Sequence, residues 1–489
     1  MLVSLYDLLS PQFSGPTILR QAQTAMLTEN FVREGFSLKG LYLNIHGNDK
    51  PLLVYEFPIY NFAVGLLFRT INYRPIWGQL VSLLASIGVL VISWKLARDR
   101  YGDLSAFFTG LFFVLSPLGV MMRTAFQPDA AALMFSVLAL YILNCWHSTH
   151  SLTTLLYFCI VLLLGGLTKY PVVVPYMPLM ALAFFSKNGK FRLPTMREVV
   201  TVFLFFIIPM VAWYVYRGYI THPDFADPAR YDKFLIGDLG RFFSLSYYTI
   251  PLYLIVVLAC SGIGIIFLVL GLNNMSPVKC ALLCGIPLYF IIVPTVSVQH
   301  YYFYACTPIV AFFMAEGLIQ FRNYCNGHRM YFVMYGAYAL YLLIFLVLSF
   351  YIMVTRQDTV LYEAAHAVQK ISEPNDLIFV MNMHNRTNGF GGNNPTFFYI
   401  SQRKGWTISP TFTVESSLKQ VAERRNEGAK WLVITWYTPE IEPAIEYYIP
   451  ASANTKVDPG IDGRRFYREL IKIYPVAFES KNYAVLKLS

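Results

Sequence analysis

The chain has 489 residues, 56% of them hydrophobic and 13% charged, with a formal net charge of +10. An ordinary soluble domain carries about 25% charged residues. The composition therefore argues against a soluble globular protein and excludes a disordered or collagen-like chain. The basic residues form no stripe of the kind that binds nucleic acid. They flank apolar runs instead, as positive-inside topology requires.

Charge divides the chain in two. Residues 356–489 hold 30 charged positions in 134, against 36 in the first 355. This predicts a polytopic helical membrane protein with a C-terminal soluble domain. Residues 1–75 read as an external loop with interfacial helices, 76–355 as the transmembrane helical domain, and 356–489 as an external soluble α/β domain.

In chain order, Thr17–Phe36 has helical spacing with Arg20, Glu29, Arg33 and Glu34 interspersed, and Pro58–Thr70 is apolar but short. Both suit helices lying in the membrane plane. A span needs about 20 apolar residues. Spans are expected at 76–94, 104–122, 199–216 and 331–355. Two more lie in 130–168, split at His147–Ser151, and another at 170–186. One lies in 242–278 from about Thr249, and two in 280–315, split near Gln299-His300. These ten visible spans, or about 10–11 in all, set the fold class.

Basic loops follow alternate spans: Lys95, Arg98 and Arg100; Lys187, Lys190, Arg192 and Arg197; Lys279; Arg322 and Arg329. These loops belong in the cytoplasm. The loops near Arg123, Lys169 and His300, residues 217–248 and the tail then lie outside. Residues 1–50 are external on this scheme with no span before them, and Leu2–Leu9 is too short to carry them across. An additional upstream helix is expected.

In the tail, 376–381 and 430–435 read as strands and Ser416–Glu427 as an amphipathic helix. That order predicts a small parallel sheet. Gly389–Asn394 is a Gly-rich loop without phosphate-binding spacing, and Asn385-Arg-Thr387 fits a glycosylation sequon. All seven cysteines precede the tail, and none has zinc spacing.

Ionisable residues at membrane depth or at its edge are functional candidates, and here they gather on the outer face: Arg20, Asp49, Lys50, Glu56, Arg123, Asp129, Lys169 and His300. A carboxylate there can serve as general base or hold a divalent metal, and a cation can hold a lipid phosphate. Each also has a plainer reading. Glu56 and Asp129 suit helix N-termini, Asp49-Lys50-Pro51 a surface turn, Lys169 a snorkelling lysine, and His300-Tyr-Tyr302 an aromatic belt.

The motifs Arg20-Gln-Ala-Gln-Thr-Ala25, Glu56-Phe-Pro-Ile-Tyr60, Arg123-Thr-Ala-Phe-Gln-Pro-Asp129, Thr168-Lys169, His300-Tyr-Tyr302 and Gly428-Ala-Lys-Trp-Leu-Val433 together resemble the bacterial polytopic glycosyltransferases of the GT-C superfamily. The chain is similar to the protein mannosyltransferases and the lipid A aminoarabinose transferase, and most of all to the Rgt-like transferases of lipopolysaccharide core.

The resemblance implies sugar transfer from a polyprenyl-phosphate donor to a glycan, lipid or protein acceptor at the outer face, in the bacterial inner membrane with a periplasmic tail. It implies catalytic roles among Glu56, Asp129 and Asp49. Donor or acceptor binding would fall to Arg20, Gln23, Lys50, Tyr60, Arg123, Lys169, His300, Tyr301 and Tyr302, with Tyr55 also lining the sugar site. No cofactor is certain from the residues; a divalent metal is a candidate. The family's first motif carries Asp where this chain has Gln23, and a neutral amide cannot take a proton. The competing readings are a transporter or flippase of lipid-linked glycans and a catalytically impaired relative acting as a binding protein.

Overall fold

The computed structural model describes Phe13 and residues 17–187, 190–222, 245–293, 300–327, 330–354, 359–382, 395–408, 414–435 and 463–489. Residues 2–9, most of 217–248, Arg329, the Asn385 sequon and the Gly389–Asn394 loop lie outside them. The chain divides into two compact units: residues 1–16 with 54–354, and residues 17–53 with 355–489. The first helix, α1 (Ile18–Arg33), thus belongs with the tail rather than with the loop 1–75 in which the sequence places it.

The larger unit is a helical bundle. It comprises α2 (Ile59–Thr70), α3 (Ile76–Tyr101), α4 (Asp103–Val114), α5 (Pro117–Met122), α6 (Asp129–Thr149) and α7 (Leu152–Lys169), then α8 (Met177–Phe184), α9 (Met196–Val202), α10 (Ile208–Ile220), α11 (Leu245–Tyr253), α12 (Gly264–Gly271), α13 (Pro277–Ile292), α14 (Thr307–Gly327) and α15 (Tyr331–Val354). A short antiparallel hairpin, β1 (Ser186–Lys187) with β2 (Lys190–Phe191), joins α8 to α9.

Among the described residues six helices are long and apolar enough to cross a membrane, and up to seven if a bent pair counts as one span. The other expected spans are present in shorter or merged form. Residues 104–122 split into α4 and α5 because Pro117, at the first turn of α5, has no N–H to continue α4. Residues 170–186 run on from α7 as a single 33-residue candidate, Leu152–Phe184. The bent pair turns between Cys260 and Ile263, where Ser261 and Gly262 both take positive φ, 52° and 74°. The split near His300 falls where a 3-10 helix, His300–Cys306, precedes α14.

α2 buries one face, Tyr60, Val64, Gly65 and Phe68, and exposes Phe62 and Leu66. That is the one-sided pattern of a helix at the edge of a bundle. α1 is different: every residue from Gln21 to Val32 is buried. A helix enclosed on all sides has no face left for a lipid surface, so here the in-plane expectation gives way to a packed helix.

The smaller unit is built on a five-stranded mixed sheet. Its elements are α16 (Thr359–Ile371), β3 (Leu377–Asn382), α17 (Thr396–Ser401), β4 (Lys404–Ile408), α18 (Val414–Asn426), β5 (Ala429–Thr435), α19 (Gly463–Leu470), β6 (Val476–Glu479) and β7 (Tyr483–Lys487). The strand order is β4-β3-β5-β7-β6. β3 pairs in parallel with β5, as expected, and also with β4, which the sequence reading did not pick out, while β7 is antiparallel to β5 and β6.

Alternate residues serve opposite faces. Phe379, Met381, Leu432 and Ile434 join Val421 of α18 and Phe466 and Leu470 of α19 in one core. Ile378, Val380, Val433 and Val485 are buried as well, as a sheet with parallel crossovers requires.

Buried Arg403 ties this unit together. Its guanidinium donates to Ser372 Oγ and to the carbonyls of Gln369, Ser372, Ser401 and Gln402 at 2.7–3.2 Å. The ends of α16 and α17 therefore share one cation. The loop after α1 joins the sheet edge: Gly47 N donates to Gly405 O at 2.7 Å, and Gly405 N to Asn44 O at 3.2 Å. Asn30 of α1 donates to Tyr42 O at 2.9 Å and holds that loop from below. Gly47 has φ +64° and lies against the Trp406 ring, where a Cβ would come within 2.2 Å, so only glycine fits.

Candidate functional site

Two ends of the membrane unit can be told apart along α6. At its second half, Arg100 donates to Asn144 Oδ1 at 2.5 Å, and Arg192 lies 5.1 Å from the Trp146 ring. Lys279, 5.8 Å from the Tyr101 ring, joins the same end. Three of the basic loops expected to share one side of the membrane therefore do gather at one end of the bundle.

The other end begins at Asp129, the first residue of α6. Its carboxylate sits where the helix dipole favours an anion. Both its oxygens accept from Lys169 Nζ at 2.9 Å, and both side chains are 2% exposed. Lys169 is aimed inward because the helix breaks there: its own backbone is extended (φ −168°, ψ 94°), and Pro171 lies in the first turn of the 3-10 helix Tyr170–Tyr176.

Tyr301 and Tyr302 stack on each other at 4.7 Å. They place their ring centroids 4.9 and 4.5 Å from the same ammonium. A cation over two aromatic faces is held by their quadrupoles as well as by the carboxylate. The pair is a closed, neutral plug joining α6, the end of α7 and the 3-10 helix before α14.

Glu56 lies at this end too. Phe57 N donates to Leu167 O at 3.0 Å, and the Phe57 ring meets Trp213 at 4.7 Å. Tyr55 and Glu56 are half-buried, and Glu56 is close enough to Tyr214 to act on it electrostatically. It thus keeps a route to the outside that Asp129 lacks.

Tyr60 is enclosed. Its hydroxyl donates to Gly78 O at 2.8 Å and meets Ser82 Oγ at 3.0 Å, and Ser82 donates to Gln127 O at 3.2 Å. Phe126 packs on Tyr60 at 5.9 Å, over a Gly78 where a Cβ would meet the ring at 2.3 Å. Arg123 gives Nε to Gly119 O at 3.0 Å and Nη2 to Val114 O at 2.5 Å, capping the ends of two helices. His300 opens its 3-10 helix; its side chain lies outside the described residues.

The remaining candidates belong to the smaller unit. Gln23 is buried in α1, with Arg20 Nη1 3.5 Å from its Oε1. Asp49 is exposed in a turn closed by its N–H on His46 O at 3.1 Å. Lys50 binds Glu34 at 2.7 Å and lies 5.0 Å from the Tyr42 ring. The hydrogen bond from Lys50 holds the Glu34 carboxyl below its usual range, and the same bond raises Lys50.

Sequence reasoning assigned no role to Gln127, which is 1% exposed. Among the described residues neither polar atom of its amide has a hydrogen-bond partner. Its place two residues before Asp129 was the only available signal. Among the described residues no three His, Cys, Asp or Glu side chains converge as a metal site. The donor set thus gives a divalent metal no cluster here, and no step below is routed through one.

Residues 49–213, which carry Glu56, Asp129 and Lys169, match the family model described as dolichyl-phosphate-mannose-protein mannosyltransferase. No curated protein matches the sequence. Among solved structures, the chain superposes on ArnT from Cupriavidus metallidurans bound to undecaprenyl phosphate with a TM-score of 0.62 and 12% identity. The match covers 100% of this chain and 96% of that one. The Archaeoglobus fulgidus oligosaccharyltransferase in complex with Zn and sulfate gives 0.52 at 12% identity, over 89% of this chain and 67% of that one.

The fold is that of the GT-C membrane glycosyltransferases, as the motifs suggested. The chain is an integral membrane protein of this architecture, with the mixed sheet in its C-terminal region.

Proposed function

We propose that the chain is a membrane glycosyltransferase. It takes a sugar from a polyprenyl-phosphate donor and transfers it to a glycan, lipid or protein acceptor at the outer face of a bacterial inner membrane, with the tail in the periplasm. The observation that carries this reading is the extent of the fold match: the whole chain aligns with 96% of a structure that holds undecaprenyl phosphate.

In this reading Glu56 is the base. It takes the proton of the acceptor nucleophile as that atom bonds to the anomeric carbon, and the polyprenyl phosphate leaves with the electron pair of the broken bond. Asp129 and Lys169 are a positioning pair: their charges are spent on each other. Their work is to fix the 3-10 segments and the chain around Glu56.

The test is purified protein with a radiolabelled polyprenyl-phosphate sugar, scored for transfer, translocation or binding alone. Transfer is expected. Glu56→Gln should lower kcat by about 10²–10⁴ while the protein remains folded. Translocation without transfer would support a flippase, binding alone an impaired relative, and an unchanged rate in Glu56→Gln would remove that residue from the mechanism.

A further inference from the structure

Within the membrane unit a half-open apolar cavity lies between α3, α4, α6, α8, α13 and α14. It is lined by apolar side chains such as Leu140, Leu179 and Phe312, and by Arg100. It lies along the second half of α6. Val137, its lining residue nearest to Asp129 along α6, is 8 residues away, or about 12 Å along a helix. The cavity is therefore separate from the Asp129–Lys169 end and plays no part in the chemistry proposed there.

Three polar features distinguish it from plain packing space. Ser93 Oγ and Thr109 Oγ1 line it, are buried, and have no hydrogen-bond partner among the described residues. A buried hydroxyl left without a partner costs about 1–3 kcal/mol, so both call for an acceptor. Arg100 is exposed at this end, and its partner among the described residues is the neutral Asn144 amide. The neighbouring cations differ. Arg98 is paired with Asp103 at 2.7 Å, Arg192 with Glu198 at 2.9 Å and Lys279 with Glu316 at 2.9 Å. Arg100 thus leaves positive charge at the mouth of an apolar cavity.

We propose that this cavity is a binding site for one anionic glycerophospholipid of the bilayer. An acyl chain fills the apolar interior. The phosphate lies on Arg100. The ester carbonyls accept from Ser93 and Thr109, with Ser93 about 10 Å along α3 from Arg100. Charge complementarity selects the occupant, because a zwitterionic lipid brings its own cation to a place already positive.

The test is native mass spectrometry of the full-length protein purified with equal amounts of phosphatidylglycerol and phosphatidylcholine of identical chains. One phosphatidylglycerol should be retained with a preference of about tenfold or more, the value of one hydrogen bond between charged groups. Arg100→Gln should abolish the preference, and Leu140→Trp should expel the lipid by filling the cavity. Ser93→Ala with Thr109→Val keeps the volume and should weaken retention at unchanged thermal stability, which serves if the tryptophan variant fails to fold. Equal retention of the two lipids overturns the proposal. So does phosphatidylglycerol persisting in folded Leu140→Trp, or its displacement from the cavity by undecaprenyl phosphate.

Discussion

The two units handle buried charge in different ways. In the membrane unit, buried Asp129, Lys169, Glu198 and Lys279 each have an opposite charge at 2.9 Å. In the α/β unit, among the described residues, Arg403 is held by a hydroxyl and carbonyls, and Glu29 has Arg33 at 3.8 Å and a hydrogen bond from Gln402, while Asp376 is paired with surface Lys430 at 2.7 Å. A bundle set in lipid has little water to relax around a charge, so a buried ion there gains most from a close counter-charge, although Arg123 is held by carbonyls. A domain in water can hold a cation with neutral dipoles and tolerate a carboxylate that changes its protonation instead. Burial is the same in both units; what differs is the solvent beyond it.

The sharpest way to break this contrast is to unpair the membrane charge. Lys169→Met leaves Asp129 buried without its cation and should cost about 3–5 kcal/mol, read as lost thermal stability of the purified protein. The double variant Asp129→Leu with Lys169→Met should recover most of that loss. If it is no better than the single change, the pair is not an electrostatic unit.

Arg403→Met should cost less, about 2–3 kcal/mol, since it frees neutral acceptors rather than a charge. Arg403→Lys should restore little of it, because an ammonium lacks the planar fork. A loss larger than that of Lys169→Met would reverse the comparison.

The smallest effect concerns pH. Burial pushes the Glu29 carboxyl up to about 7, against the opposing pull of Arg33 and a hydrogen bond from Gln402. The folded state then holds the proton longer than the unfolded one. Its stabilising contribution is complete below the ordinary carboxylate value of 4.5 and is lost as pH rises through about 7. Glu29→Gln should remove this fall, by about 1–2 kcal/mol, giving a higher Tm than the parent at pH 8 and a similar one at pH 4.5. Parallel Tm–pH curves for the two proteins would show that Glu29 is ionised throughout.

Much of the fold was legible because its signals are local. The apolar runs fell on α3, α6 and the candidate span Met196–Ile220, and the alternating pattern located β3 and β5. Pro117 broke an expected span because one missing N–H outweighs an unbroken apolar composition. The membership of α1 in the smaller unit left no local trace: Asn30 reaches Tyr42, but Gly47 reaches Gly405, and no pattern in either segment names the other.

The site was legible in part for the same reason. Asp129 and Lys169 stood out as charges at helix ends, yet their bonding to each other, across 40 residues, was not visible in either motif. Arg123 and Tyr60 were recognised by type, while their use as a cap for carbonyls and as a buried hydroxyl relay depends on neighbours that only folding supplies. Gln23 was the informative departure. Its buried amide accepts from Arg20 at 3.5 Å, so the position retains a hydrogen bond where the resemblance expects a charge.

The unit that combines residues 17–53 with 355–489 imposes an order on biosynthesis. Its first helix and its edge loop emerge from the ribosome early, whereas β4, the strand that Gly47 must join, comes roughly 350 residues later. At about 5–20 residues per second that is a wait of about 20–70 s, during which the whole bundle is made. Through that interval Ala22, Ala25, Met26, Leu27 and Phe31, all buried in the finished protein, have no sheet unit to join. Residues 17–53 therefore complete their packing late, and pulse-labelled protease protection of them should appear only after the last strand has been released.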